Sequence, residues 1–384
     1  MLTRVPMEPR SVDEVAAAAR DVWLDLLGRE AAGESSDFEG TCARLPELAA
    51  ELCRLRSRHA IATDPVPLPA PVDVAELLQR LGSPRLAAER YRVGELIARG
   101  GMGEIRRGWD NELRRAVALK FFRASGAPRA ALTRFIEEAQ IAGQLDHPGI
   151  VPVHDVGVDA QGRAYFAMKL VAGRDLRAIL TNVHAGRDGW SRPRVLGVLL
   201  KVCDALAYAH TKGVVHRDLK PANVMVGRFG EVFVMDWGLA RIERASTMGD
   251  EAALVRTLRS ERIDAEGATL HGDVIGTAAY MAPEQALGDP TLIGRAVDVY
   301  AIGALLYEIL ARTPPYGDAH ESSDSADIVR RLRAGPPRAL REVAGDAEPE
   351  LIAICERAMR REPPERYPSV QALAEDLRAY LEGR

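Results

Sequence analysis

His216-Arg217-Asp218-Leu219-Lys220-Pro221-Ala222-Asn223, followed thirteen residues later by Asp236-Trp237-Gly238, decides how this chain is read. The two stretches supply a carboxylate able to accept a hydroxyl proton (Asp218) and an ammonium two residues on (Lys220). They also supply two oxygen ligands suited to a magnesium ion, the Asn223 amide and the Asp236 carboxylate. This is phosphoryl-transfer chemistry, whose loose transition state asks a protein for positioning and charge neutralisation rather than for a covalent nucleophile. A structural loop salt bridge would account for His216-Arg217-Asp218, but not for Lys220, Asn223 and Asp236 beside it.

Working outward toward the amino terminus, Ile97-Ala98-Arg99-Gly100-Gly101-Met102-Gly103-Glu104-Ile105 lies between two predicted strands. Its glycines would let backbone amides approach a polyphosphate, although a glycine-rich hairpin turn alone explains them equally well. Ala116-Val117-Ala118-Leu119-Lys120 then ends an apolar strand on a lysine, and a predicted helix offers Glu137-Glu138. Strand-end lysines ordinarily reach solvent. A buried Lys120–Glu138 ion pair would instead set the ammonium against the α- and β-phosphates of a nucleotide.

The 384 residues carry a net charge of -4 with both signs interspersed, which excludes a nucleic-acid glove or an anionic-membrane surface. No run approaches 18 apolar residues: Ala296 to Leu310 is broken by Asp298 and Glu308, and Met1 to Arg20 has no signal-peptide core. Of the four cysteines, Cys42 and Cys53 lie eleven apart and Cys203 and Cys355 sit in apolar helical patterns. No pair has ligand or redox spacing, so buried free thiols and a soluble, cytoplasmic chain are expected.

Helical periodicity over Val12 to Arg29 and again over Phe38 to Arg58 predicts a helical hairpin turning at Gly33-Glu34-Ser35-Ser36. Residues 1–62 therefore read as a helical extension, a packing or assembly module able to support a homodimer or partner contact through residues 12–58. Residues 63–90 read as a proline-rich linker, Asp64 to Pro71, with a short helix at Val74 to Leu81. Beyond it, residues 91–171 are β-rich with one helix after Arg129, and residues 172–384 are largely helical.

From Tyr91 to Leu381, about three quarters of the chain, the sequence resembles the bacterial eukaryotic-type (Hanks-type) serine/threonine protein kinases, matching their motifs in order and spacing. The resemblance implies an α+β bilobal kinase fold, with 91–171 as the β-rich lobe and hinge, 172–384 as the helical lobe, and 236–284 as the activation segment. ATP and Mg2+, with Mn2+ as an alternative ion, are the implied cofactors, and Ser/Thr-containing proteins the substrates. Gly100, Gly101 and Gly103 then cover the phosphates, Lys120 and Glu138 form the phosphate-positioning pair, and Asp218 is the catalytic base. Lys220 touches the γ-phosphate, Asn223 and Asp236 bind metal, and Thr277 marks the serine/threonine subclass. Ile97, Ile105, Ala118, Met168 and Met225 line the adenine pocket, Lys169 to Val171 form the hinge, and Asp175 meets the ribose. As ordinary core residues Ile105, Ala118 and Met225 would look the same. Glu284 should pair with Arg366, and Asp298 should anchor the catalytic loop.

Four residues depart from the family pattern, among them Lys169, which replaces an acidic hinge residue where the hinge works through backbone atoms. Ala98 replaces the usual first loop glycine, so a left-handed backbone there would be strained by about 1 kcal/mol. Trp237 replaces phenylalanine and needs an acceptor for its indole N–H. Ala222 stands where arginine-directed kinases carry glutamate. The long polar activation segment holds Thr269, matching an autophosphorylation site of bacterial relatives, and Asp273, which would supply a permanent carboxylate in place of a phosphate. An active kinase is the expected function. A pseudokinase scaffold conflicts with the full residue set, and a small-molecule kinase with Lys220 and Gly276-Thr277. Family members commonly continue into a membrane anchor and sensor, and an end at Arg384 fits either a whole chain or a fragment.

Overall fold

Glycine-punctuated, β-branched sequence after Tyr91 folds into a five-stranded antiparallel sheet of β1 (Tyr91–Arg99), β2 (Gly103–Asp110), β3 (Arg115–Phe122), β4 (Val153–Val158) and β5 (Ala164–Lys169), in the order β1-β2-β3-β5-β4. The computed structural model describes residues 12–31, 37–63, 90–100, 103–123, 129–184, 189–242, 278–288, 293–317 and 325–384. The chain forms two compact units, Met1–Leu68 and Pro69–Arg384.

Strand side chains alternate between sheet faces, and β3 uses that period to build two cores. Val117, Leu119 and Phe121 join Tyr91, Tyr165 and Ala167 on one face. Ala118 and Phe122 join Phe135, Ala139, Val151, Phe166 and Met168 on the other. Phe135 and Ala139 come from the helix Arg129–Gln144, whose apolar stripe follows the 3.6-residue period and so packs onto this second face. Phe135 is fully buried, and truncating it to alanine would cost about 3–5 kcal/mol. Lys120 falls between Ala118 and Phe122 and therefore points toward that helix.

The second lobe is organised around the helix Ala296–Ala311, which is buried on every side from Val297 to Ala311. A helix apolar all round is stable only inside a core, and here the helices Arg192–Thr211, Pro349–Ala358 and Val370–Leu381 surround it. Two small sheets lie at its edge: β6 (Gly173–Asp175), β8 (Val224–Gly227) and β9 (Val232–Val234) in the order β6-β8-β9, and β7 (Val214–Val215) with β10 (Arg241–Ile242). Among the described residues no helix is long and apolar enough to cross a membrane.

The amino-terminal unit corrects the predicted hairpin. Its helices are α1 (Val12–Ala31), α2 (Phe38–Arg44) and α3 (Pro46–Thr63), so the second run is broken in two. Leu45 leaves the helical region at φ -127, ψ 65, because the residue before a proline is pushed out of it, while Pro46 starts α3 where no N–H is needed. Ala19, Leu48 and Leu52 form the centre of this unit. The Gly33 to Ser36 turn, the 64–89 linker and the Val74 to Leu81 helix lie outside the described residues.

Candidate active site

The loop that begins at His216 is braced by one buried carboxylate. Arg217 and Asp236 both adopt left-handed backbone (φ 69 and φ 60), a conformation that costs an L-residue about 1–2 kcal/mol. Asp298, fully buried on the central helix, accepts from His216 N at 2.8 Å and His210 Nε2 at 2.8 Å through Oδ2, and from Arg217 N at 2.9 Å through Oδ1. Burial alone would raise its pKa, but the His210 hydrogen bond, the neighbouring histidines and the Arg217 amide hold it below the ordinary value. His216 Nδ1 accepts from Asp218 N at 3.2 Å, which assigns the proton to Nε2, and Nε2 then donates to Met235 O at 3.0 Å.

Asp218 is 7% exposed, and its two oxygens differ. Oδ2 accepts from Lys220 Nζ at 2.8 Å and Asn223 Nδ2 at 3.2 Å, whereas Oδ1 is buried with no partner among the described residues. Asn223 Nδ2 also donates to Asp218 O at 2.8 Å. With its nitrogen spent on Asp218, the Asn223 amide keeps its oxygen for a cation.

Across the cleft, Lys120 Nζ lies 2.5 Å from Glu138 Oε1 and 3.5 Å from Asp236 Oδ1. Burial opposes the ammonium, but the two carboxylates more than offset it and raise the Lys120 pKa. Burial pushes Glu138 up to about 7 despite the ammonium beside it, while Lys120, His216 and Lys220 hold Asp236 below its ordinary value against the effect of burial. Gly238 leaves room for this arrangement, since a Cβ there would lie 3.1 Å from Glu138 Oε2. Trp237 is buried and meets His216 edge-on with ring centroids 4.7 Å apart. Its Nε1 has no acceptor among the described residues, so the expected partner for the indole is not found.

Ala118, Met168, Ile105 and Val171 share one apolar cluster. Ile97, 42% exposed, stands apart from it. Met225 lies on β8, opposite Phe233 and Asp175. Asp175 Oδ1 accepts from Ala178 N at 2.7 Å and so caps the helix Leu176–His184. Lys169 is exposed, its Nζ 4.5 Å from the centre of the Phe233 ring. Ala98 is corrected: it sits in extended β1 opposite Ile105 and has no left-handed backbone to strain it. Gly100 and Gly103 spend their amides on each other across the hairpin, Gly100 N to Gly103 O at 2.9 Å and the reverse at 3.4 Å. Gly103 is required by packing, because a Cβ there would lie 2.1 Å from Phe121 O. Gly101, Thr269, Asp273 and Thr277 lie outside the described residues.

From Ala278 to Gly288 the chain is held by buried contacts. Arg366 grips Glu284 with two bonds of 2.6 and 2.7 Å, both side chains being almost fully buried. Three supports escaped sequence reading: His210 on Asp298, Gln285 Nε2 donating to Arg217 O at 2.9 Å, and Tyr280 OH donating to Glu308 Oε2 at 2.7 Å. Gln285 alone had a signal, its place directly after Ala282-Pro283-Glu284.

Comparison with known proteins agrees with this geometry. The chain is 34% identical over 311 residues to the serine/threonine-protein kinase PknD of Protochlamydia amoebophila, covering 78% of this chain and 30% of that protein. It is 34% identical over 309 residues to PknD of Chlamydia trachomatis serovar D, covering 77% and 32%. It is 38% identical over 306 residues to the "Probable serine/threonine-protein kinase SCO3848" of Streptomyces coelicolor, covering 78% and 41%. The chain thus spans about a third of the length of these curated relatives. The protein kinase domain family matches residues 91–377, the same span that carries the two-lobed fold and the Lys120, Asp218 and Asp236 constellation, and the chain belongs to that family.

Proposed function

We propose that this chain is an ATP- and Mg2+-dependent protein serine/threonine kinase, transferring the γ-phosphate of ATP to Ser and Thr hydroxyls of proteins in bacterial signalling and autophosphorylating its own 236–284 segment. One observation carries the reading: the Lys120 ammonium is already clamped between Glu138 and Asp236. A scaffold that kept only the fold would have no need of a buried ammonium aimed at the cleft.

In this reading Asp218 Oδ1, buried and without a competing donor among the described residues, accepts the proton of the attacking hydroxyl. Lys220, bonded to Asp218 Oδ2, contacts the γ-phosphate, and Lys120 holds the α- and β-phosphates. The apolar cluster of Ile105, Ala118, Met168 and Val171, with Ile97 and Met225, receives the adenine, while the backbone of Lys169 to Val171 meets the base edge. Asp175 keeps one carboxylate oxygen for a ribose hydroxyl beyond its capping bond, Gly100, Gly101 and Gly103 form the turn over the phosphates, and Thr277 supports the catalytic base. The Asn223 amide oxygen and the Asp236 carboxylate suit a hard cation, Mg2+ or Mn2+. When bound, such an ion neutralises charge on the phosphate oxygens. ATP as substrate and free thiols favour a cytoplasmic setting, and the amphipathic helices of residues 12–58 favour recruitment of a partner or a second copy.

The test is phosphate incorporation from radiolabelled ATP into a Ser/Thr-containing acceptor protein by the full chain and by Asp218→Asn. Loss of at least about 100-fold is expected on removing the base. Equal incorporation by the two proteins would refute the assignment.

A further inference from the structure

A sheet must bury an apolar face against another layer, and the five-stranded sheet has two such faces. The helix Arg129–Gln144 covers the inner one, contributing Phe135 and Ala139 to the cluster there. The outer cluster consists of Tyr91 from β1, Val117, Leu119 and Phe121 from β3, and Tyr165 and Ala167 from β5. Among the described residues, every member of it therefore comes from a strand. These side chains are nevertheless closed off from solvent: Val117, Leu119 and Ala167 are 0% exposed and Tyr91 only 4%. Neighbours within one sheet shield the flanks of a strand side chain but not its tip, which stands away from the sheet.

Tyr165 makes the same point independently. Its hydroxyl is buried and has no hydrogen-bond partner among the described residues, although a buried tyrosine hydroxyl ordinarily finds one. The face is also low. Leu119 leans over Gly108, where a Cβ would lie 2.6 Å from its Cδ1, and the Tyr165 hydroxyl leans over Gly157, where a Cβ would lie 2.7 Å away. Val93, opposite Gly108 on this face, is exposed, so whatever covers the cluster is narrow and ends there.

The chain's own sequence supplies an occupant. Residues 64–89, outside the described residues, run directly into Arg90 and Tyr91, and the chain from Pro69 onward belongs to the same compact unit as the sheet. Within this stretch Val74, Leu77, Leu78 and Leu81 recur at i, i+3, i+4 and i+7, one side of a helix, with Glu76, Gln79 and Arg80 on the other. Asp73 and Glu76 have capping-box spacing, and Gly82 and Pro84 follow as stop signals. Such a helix is about 12 Å long, close to the roughly 14 Å from β1 across β2 and β3 to β5. Its connection to the sheet is anchored: Arg90, itself helical, donates to Asp155 at 3.0 Å and Asp110 at 3.3 Å, and Tyr91 OH donates to Asp155 at 3.2 Å. Residues 124–128, which also adjoin the sheet, have no large apolar side chain to offer.

We propose that the outer face of the sheet is a docking surface for the chain's own residues 74–81, seated as an amphipathic helix with Leu77 and Leu78 against Val117, Leu119 and Tyr165. The docked helix lies behind the strand that carries Lys120 and completes the lobe with an element that precedes the family-matched residues 91–377. This surface does not depend on the phosphoryl-transfer reading.

Photo-leucine, close to leucine in shape, tests the docking in the intact full-length chain. Protein carrying it at leucine positions is irradiated, digested with trypsin and analysed by mass spectrometry. Cleavage after Arg58 and Arg80 gives peptide 59–80, after Arg115 and Lys120 gives 116–120, and after Arg163 and Lys169 gives 164–169. Peptide 59–80 is expected joined through Leu77 or Leu78 to 116–120 or 164–169 of the same chain. Because the contact exists only in the folded lobe, the yield should fall at least about ten-fold in denaturing urea. Cross-links among core leucines of the second lobe report that the chain is folded and the photochemistry works. Their appearance without the 59–80 product would overturn the proposal. So would 59–80 joined instead to the amino-terminal helices or the second lobe, or joined only between light and isotope-labelled chains.

Discussion

Replacing Asp298 by asparagine isolates the contribution of one carboxylate to the shape of the catalytic loop. Three donors converge on it: His210 Nε2 and the His216 amide on Oδ2, and the Arg217 amide on Oδ1. An asparagine with its oxygen in the Oδ2 position keeps two of them and turns its NH2 toward the Arg217 N–H, donor against donor. The loss is one charge-assisted bond, about 1.5–3 kcal/mol, plus an orphaned buried donor at about 1–3 kcal/mol. Relief from burying a charge offsets part of this, leaving about 3 kcal/mol. At roughly 2–4 °C per kcal/mol the melting temperature falls by about 6 °C or more. Because Arg217 is held at φ 69 and Asp218 follows it directly, release of the loop also misplaces the proposed base, and kcat is expected to fall by about 100-fold. The pH dependence has a definite sign. The folded pKa of Asp298 is depressed, so its stabilisation is complete above the unfolded value of about 4 and is lost as pH falls below it. The gap in melting temperature between wild type and Asp298→Asn should therefore narrow below about pH 4. Equal melting temperatures and equal kcat at pH 7 would refute the argument.

Arg366→Ala leaves Glu284 buried and uncompensated, and urea unfolding should show a loss of about 3–5 kcal/mol, part of it recovered in the double variant with Glu284→Gln. Gly103→Ala drives a Cβ into the Phe121 carbonyl and should raise the KM for ATP several-fold. Gly100→Ala, with nothing within 4 Å of its Cβ, should leave that KM within about two-fold of wild type, and the reverse order would overturn the packing explanation of the hairpin.

The parts of the site legible in the sequence are those whose chemistry is local. Lys120, Asp218, Asn223 and Asp236 announce themselves because a cation, a base and two oxygen ligands are unusual so close to glycine turns and apolar strands. The Lys120–Glu138 pair was readable from a lysine ending an apolar strand, two glutamates on the helix that follows and the family resemblance, and the alternation of β3 is what turns that lysine toward the helix in the structure. What stayed hidden depends on where the backbone bends. Apolar periodicity runs unbroken across Leu45 and Pro46, so it suggests one helix where there are two. Ala98 was assigned strain because a glycine often stands there, although the strand is extended at that point. His210 gave no sign at all, since nothing in its surroundings in sequence distinguishes a histidine that braces a distant carboxylate from one that merely fills a helix face.

The hairpin glycine also acts as a ruler. Gly103 lets β2 lie directly against the Phe121 carbonyl, and Ile105 thereby comes opposite Lys120. A slip of β3 by one residue would exchange its faces, sending Leu119 or Phe121 toward the cleft and the ammonium into the opposite apolar layer. A contact between two backbones, remote from any charge, thus decides whether the cleft presents a cation or a hydrocarbon.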